Sequence, residues 1–505
     1  MITNMISPKR ELPQSLYRAQ DLRELDRIAI TDMGIPGYTL MTRAGTAALH
    51  LLRESWPRAR NVVVVCGIGN NGGDGFVLAR LAHEGGVQVE VLLLGEAALL
   101  RGDARRACEA MLKAGVQVSP FVAERWQEAD VVVDAMFGTG LDREVSGLHR
   151  EAITVMNRQP APVLSLDIPS GLDTDTGTAL GVAVRASKTL TFIGLKQGLF
   201  TGQGPDYGGE IYFDDLEVPA EIYQQVSAPA FRVSSTWMQS LLPPRARIAH
   251  KGHHGHVLVV GGEQGMAGAV RLAGEAAARV GAGLVSMATH PVHAAALSAA
   301  RPELMCHGLE DSEALPALLD KASVLAIGPG LGCAEWGQQL FGAVLESTLP
   351  MVVDADALNL LAQEPLRRNH WILTPHPGEA ARLLNVTAGD VQADRWQAVR
   401  ELHKRYGGVV ILKGAGTLVC NGHDPLALGD TGNPGMAAGG MGDVLTGVIA
   451  GLLAQGLNSW QAALAGIYLH GCAGDAVAAR EGERGLMAGD LMGPLHRLVN
   501  PPAQP

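Results

Sequence analysis

Short apolar runs alternate with longer stretches in which apolar positions recur at helical spacing, and the rhythm occurs twice along the chain. In the first part the runs are NVVVVCG, VQVEVLLLG, ADVVVDAMFG, PVLSLDIPSG and KTLTFIG, most of them separated by helical patterns such as the one through residues 76–82. In the second part they are GHVLVVGG, GAGLVSMAT, ASVLAIGPG, PMVVDADALN, HWILTPHPGE and GVVILKGAG. Continuous apolar runs mark strands covered on both faces, and their alternation with helices implies parallel sheets between helical layers. The expected fold class is α/β, in two three-layer domains. Residues 218–247 lose the rhythm and include Pro243-Pro244, so they are expected to be a linker between domains at 1–220 and 225–505. The chain shows no short internal repeat, and its halves do not read as copies of each other.

The unusual polar and glycine-rich segments nearly all follow a strand directly: GNNGGDG, DAMFGTGLDRE, DIPSGLD, GPGLG, DADALN, TPHPGE and KGAGT. In a parallel sheet such turns share one edge, where ligands bind. Two sites are expected, one in each half.

Composition narrows the function classes. Of 505 residues, 47% are hydrophobic and 18% charged, and 63 are glycine, which suits many tight strand-to-helix turns. A net charge of −11 offers no basic excess to displace counterions, which argues against nucleic-acid binding. The six cysteines form no C-x-x-C pair and read as reduced thiols, each more simply packing than nucleophile. The opening MITNMISPKRELPQ has no apolar h-region and no uninterrupted apolar run approaches a membrane span, so a cytoplasmic protein without a membrane partner is expected.

In the first half, Gly67, Gly69 and Gly72 satisfy G-x-G-x-x-G, and Glu90 lies where a dinucleotide-binding fold places its ribose-binding acid. That fingerprint has no need of Asn70, Asn71 or Asp74, and Glu90 sits inside its strand rather than at the end. Asp134 ends a later strand, and Asp167 and Ser170 follow another. If the strands are adjacent, an amide, carboxylates and a hydroxyl converge, a set suited to a hard cation or to proton transfer. The blander alternative makes Asp134 and Asp167 caps of the helices that follow.

These segments resemble the NAD(P)HX epimerase family over about residues 9–220. The resemblance implies a Rossmann-like domain that interconverts the R and S forms of NADHX and NADPHX, nicotinamide nucleotides hydrated at C6. It places the substrate loops on Asn70, Asn71, Gly72, Gly73 and Asp74 and on Gly138, Thr139, Gly140, Leu141, Asp142, Arg143 and Glu144. It implies potassium (K+) ligands at Asn71, Asp134 and Ser170, and a substrate-binding carboxylate at Asp167, the expected catalytic proton carrier. Thr42, in LMTRAG, stands where an acid would be expected.

The strongest signal in the second half is GNPGMAAGGMGDVLTG, residues 432–447, in which Gly439, Gly440 and Gly442 precede Asp443 and a helical run. Free N–H groups at a helix start stabilise an anion, and Asp443 is placed to act as a base there. Otherwise Asp443 is merely a favourable first-turn residue. The G-x-x-x-x-G-K-[ST] P-loop is absent. With the earlier segments, this stretch resembles the ribokinase-like ADP-dependent NAD(P)HX dehydratase family over about residues 225–500. The resemblance implies that Lys413, Gly414, Ala415, Gly416, Thr417 and Gly442 hold ADP. It places Ala267, Gly330, His376 and the catalytic Asp443 on the hydrated nucleotide. Met441 stands where serine is common, so a serine hydroxyl contact is missing. A divalent cation, magnesium (Mg2+), is expected, with Asp354 or Glu379 as candidate ligands. His376 also reads as a helix cap, and His253, His254 and His256 precede a strand without an acid partner in range. A homo-oligomer is expected. The rival reading is a ribokinase-like small-molecule kinase fused to a non-catalytic Rossmann-like module.

Overall fold

The apolar runs of the first half form strands β1 (Asn61–Cys66), β2 (Gln88–Leu93), β3 (Val118–Pro120), β4 (Val131–Ala135), β5 (Val163–Leu166), β6 (Lys188–Phe192) and β7 (Glu210–Asp214). They make one parallel sheet in the order β3-β2-β1-β4-β5-β6-β7. Side chains alternate across a strand, so β1 and β4 feed two separate cores. Val62, Val64, Val131 and Val133 enter one, and Val63, Val65 and Val132 enter the other. With both faces buried there is no side for a polar residue to occupy, which accounts for the near-unbroken valines.

The second half forms β8 (His256–Val260), β9 (Leu284–Thr289), β10 (Met305–Gly308), β11 (Val324–Ile327), β12 (Met351–Val353), β13 (Trp371–Leu373), β14 (Val409–Leu412), β15 (Thr417–Cys420) and β16 (Leu426–Gly429). Their order is β10-β9-β8-β11-β12-β13-β14-β15-β16. Pairing is parallel as far as β14 and antiparallel from β14 to β16. The uniform strand–helix alternation therefore fails at KGAGT, which turns a hairpin. Its connection is too short for the crossover that a parallel neighbour would need.

The structure, a computed structural model, describes residues 12–123, 128–239, 241–423 and 425–500. The chain divides into two units, Met1–Phe231 and Arg232–Pro505. Residues 218–247 are not plain linker, since they hold the short helices Ile222–Gln225 and Ser235–Gln239 and the strand Ala230–Arg232. The sequence offered no run of membrane-spanning length, yet the helix Ser459–Glu481 is long and apolar enough by that measure. More than half of its apolar window is buried inside the protein, as in a core helix.

In each sheet the strand order reverses beside the first long strand, between β1 and β4 and between β8 and β11. Neighbouring connections leave on opposite faces there and open a crevice at the carboxyl ends of the strands. Most of the polar segments singled out above lie at those ends.

Candidate active sites

In the first unit the crevice gathers three strand ends. Asp134, at the end of β4, is fully buried. Its Oδ1 accepts from Ser170 Oγ (2.6 Å) and the Met136 N–H (3.3 Å). Its Oδ2 accepts from Ser165 Oγ (2.9 Å) and the Ser170 N–H (2.8 Å). Asn71, in the first turn of helix Asn70–Glu84, donates through Nδ2 to the carbonyls of Phe137 (2.8 Å) and Leu166 (3.2 Å). Its Oδ1 is buried with no partner among the described residues. Asp134 has no ion-pair partner among the described residues, and an unpaired buried carboxylate is costly. Asn71 Oδ1, Asp134, Ser170 Oγ and the Phe137 carbonyl are all oxygen donors, a set of the kind that suits a hard cation. The helix-cap alternative for Asp134 does not hold: its oxygens stay within the strand-end cluster.

Asp167 has a left-handed backbone, φ 69°, which is uncommon for a non-glycine residue. The Ile168 N–H donates to the Leu166 carbonyl (2.8 Å), closing a γ-turn with Asp167 at its apex. Strain of this kind persists where surrounding contacts hold it. Here Lys196, 1% exposed, ion-pairs with Asp167 Oδ1 and donates to the Phe192 carbonyl (2.9 Å). A side chain at Gly138 would lie 3.3 Å from Asp167 Oδ2 and 3.6 Å from Asn71 Cβ, so the second loop passes directly over both.

Two more carboxyls face this pair. Burial first, then the charges of Asp167 and Asp26, push Asp74 well above the usual carboxylate range, with Lys196 opposing. Burial in the crevice and the charge of Asp167 likewise raise Asp26 to about 6, although its side chain reaches solvent. Asp26, from helix Ala19–Arg27, and Lys196 were missed in the sequence. A lone lysine in the apolar stretch FIGLKQGLF was the available signal, because lysine is almost never fully buried unpaired.

The remaining substrate-loop residues divide by exposure. Gly72 and Gly73 are buried: a side chain at Gly72 would strike the Gly67 carbonyl past the end of β1, and one at Gly73 would strike Met41 of helix Gly37–Ser55, so both serve close packing of the helix. Asn70, Gly140, Asp142, Arg143 and Glu144 are exposed, while Thr139 and Leu141 are half-buried.

In the second unit Lys413, just past β14, is the hub. Its ammonium donates to Asp354 Oδ1 (2.7 Å) and lies 3.8 Å from Glu379 Oε2. Asp354 is 1% exposed, and its Oδ2 accepts from Thr446 Oγ1 (2.8 Å). Despite burial, Lys413 and these hydroxyls hold the Asp354 carboxyl below its ordinary value. A side chain at Gly442 would lie 3.2 Å from Lys413 Nζ and 3.4 Å from Asp354 Oδ2. The glycine thus lets the start of helix Met441–Ala454 come down onto this pair. Asp443 lies in the first turn of that helix, and burial together with the charge of Asp354 raises it to about 7.

Glu379 is also raised to about 7, mainly by burial. One of its oxygens accepts from the His376 N–H (2.7 Å). The oxygens of Asp354 and Glu379 are thus turned to an ammonium, hydroxyls and a backbone N–H. This arrangement fits a lysine and does not fit the divalent-cation ligands expected from sequence. His376 caps helix Pro377–Leu384, its Nδ1 accepting from Gly378 N–H (3.0 Å), with the rest of the ring half-exposed. Ala267 starts helix Ala267–Arg279, and Gly330, φ 58°, packs on Met266 and Ala269, so these two are neighbours at the β8–β11 crevice.

Comparison with known proteins agrees with this division. The NAD(P)H-hydrate dehydratase family matches residues 257–496, and the family described as YjeF-related protein N-terminus matches residues 37–198. A bifunctional NAD(P)H-hydrate repair enzyme of Coxiella burnetii is 48% identical over 486 residues, covering 96% of this chain and 99% of its own. One of Escherichia coli is 44% identical over 490 residues, covering 97% and 95%. A solved ribokinase-like superfamily protein of Enterococcus faecalis aligns with a TM-score of 0.50 and 27% identity, over 53% of this chain and 95% of its own.

Proposed function

This chain belongs to the bifunctional NAD(P)H-hydrate repair enzymes, an epimerase domain followed by a ribokinase-like dehydratase domain, and from that premise we propose how its residues divide the work. The first unit interconverts the R and S hydrates. The second dehydrates the S form with ADP, as the resemblance of KGAGT and G-x-G-D to ADP-dependent dehydratases implies.

Exchange of configuration at C6 needs the hydroxyl to depart with a proton and water to return on the other face. A site for this must both give and take a proton. Asp74, whose carboxyl burial and neighbouring carboxylates raise well above its ordinary range, is suited to give one. Asp167, tied to Lys196 at the apex of its strained turn, is suited to take one. Asn71, Asp134 and Ser170 would hold potassium. The ion would neutralise the buried carboxylate and fix the turn from Asp167 to Ser170 and the start of helix Asn70–Glu84.

In the second unit Asp443 takes the proton of the C6 hydroxyl, and the start of helix Met441–Ala454 faces the phosphoryl group that turns this oxygen into a leaving group. Lys413 supplies a fixed positive charge beside it, held in place by Asp354 and Glu379. The convergence of Gly442, Asp443 and Lys413 on one point is the observation that carries this reading.

A mixture of both hydrate epimers, supplied with ADP, ATP or neither, tests the whole. Recovery of the near-ultraviolet absorbance of the dihydronicotinamide should run nearly to completion with ADP and not without nucleotide. With Asp167→Asn it should stall once the S form is consumed. A variant that clears the mixture at the normal rate would remove Asp167 from the epimerase chemistry.

A further inference from the structure

Beneath the KGAGT turn lies a side chain that carries no mark in its local sequence pattern. Arg395 opens helix Arg395–Tyr406 and is 1% exposed, one of the largest fully buried side chains in the protein. Its Nη2 donates to three carbonyls of the turn: Leu412 (3.2 Å), Lys413 (3.2 Å) and Gly416 (3.3 Å). Its Nη1 donates to Gln392 Oε1 (2.8 Å), in the preceding helix Ala388–Ala393. Gly414 rests on the guanidinium: a side chain there would lie 3.0 Å from Nη1 and 3.2 Å from Nη2, and its φ of 134° also favours glycine.

Planar trans peptides turn these contacts into a direction. Each N–H points opposite to the carbonyl of its own peptide group. Drawing the carbonyls of residues 412, 413 and 416 onto Arg395 therefore turns the N–H groups of Lys413, Gly414 and Thr417 away from it. The Lys413 N–H indeed donates on the other side, to the Pro375 carbonyl (2.9 Å). The same backbone sets the root of the Lys413 side chain, whose ammonium reaches Asp354 and Gly442. Burial lowers Arg395 only to about 10, so the fork stays charged at neutral pH.

We propose that Arg395 is a positioning residue for the nucleotide. Without touching ADP, it holds the turn at residues 412–417 in its binding shape before the ligand arrives, leaving less ordering to be done on binding. The inference rests on reading residues 413–417 as the ADP loop, and the experiment separates the two.

Arg395→Lys keeps the charge and loses the planar fork, so one ammonium on a flexible stem can no longer hold Gln392 and the turn carbonyls in fixed geometry together. Steady-state kinetics of dehydration should show the KM for ADP raised about tenfold, the effect of roughly one charge-assisted bond. Both kcat at saturating ADP and the KM for the hydrated nucleotide should change less than the KM for ADP, because the Lys413 ammonium keeps its own anchors at Asp354 and Glu379. Gly414→Ala is the control on the loop itself and should also raise the KM for ADP. A normal KM for ADP in Arg395→Lys beside a raised one in Gly414→Ala overturns the role of Arg395 and leaves the loop reading standing. Normal values in both overturn both readings. Equal damage to kcat and to both KM values would show general loss of structure and also overturn positioning. Should Arg395→Lys not fold, hydrogen exchange of the natural protein decides. The Lys413 amide, which donates to the Pro375 carbonyl, should be protected without ADP, and rapid exchange there until ADP is added would refute a preformed turn.

Discussion

Single side chains set the chemistry here through their protonation. Asp443 and Glu379 are both raised to about 7, well above an ordinary carboxyl near about 4. As a base, Asp443 must be ionised, so dehydration measured as kcat/KM should rise with pH and level off above about 7. Asp356 adds to the upward push on Asp443, so Asp356→Asn should move that limb to lower pH. The consequence for stability has the opposite sense. A carboxyl whose pKa is raised on folding makes the folded state bind the extra proton between the two values. Its contribution is fully present below about 4 and is lost as pH climbs through about 7. Thermal unfolding of the second unit should therefore weaken from pH 5 to pH 8, and Asp443→Asn should remove part of that decline while abolishing activity. A limb at the ordinary carboxylate pH, or no change of unfolding temperature, would show that Asp443 is only a first-turn residue.

Elements act here mainly through their ends. β1, β4 and β5 finish level with one another, and that register brings Asn71, Asp134, Asp167 and Ser170 into one oxygen-lined cluster although they lie far apart in sequence. Replacing potassium by a bulky organic cation at equal ionic strength should lower epimerase activity or the unfolding temperature of the first unit. Ion binding to the folded state alone contributes about 2.7 kcal/mol at a hundredfold excess over Kd. Asp134→Ala should erase the difference between the two salts. If neither activity nor unfolding responds to the cation in the natural protein, the cluster serves only to bind itself together. The hairpin β14–β15 shows the converse case. There the connection between elements is itself the segment proposed to bind ADP, and the start of the helix that directly precedes β14 supplies Arg395 to shape it.

For the whole molecule, the two sites belong to separate compact units. Sites so divided should fail separately. Asp443→Asn should cut dehydration by at least about a hundredfold, the lower end for loss of a general base. Epimerisation should stay within about twofold, because distant sites behave additively. The paired measurement is ADP-dependent recovery of dihydronicotinamide absorbance and chromatographic exchange of R and S hydrates without ADP. Joint loss of both activities would point to one shared site and defeat the division.

Much of this was legible in the chain itself. Unbroken valine runs can only be strands buried on both faces, and polar or glycine-rich residues directly after such runs must fall at one sheet edge. That reasoning reached the α/β class, the expectation of a site in each half, and Asp134, Asp167, Ser170 and Lys413, whose position follows a strand; Asp443 was reached from the glycines before its helix. The sequence could not rank them, because a carboxylate reads alike whether it meets a cation, a lysine or water. Only the tertiary fold placed Lys196 on Asp167 and Lys413 between Asp354 and Glu379, turning expected divalent-ion ligands into partners of an ammonium. Only the fold brought Asp26 to face the first site and set Arg395 under a turn whose carbonyls lie 17 to 21 residues further along the chain. These side chains carry no mark in their local pattern. Their roles arise from proximity across the chain, and long-range proximity is decided when the apolar faces pack, not by the order of residues along it.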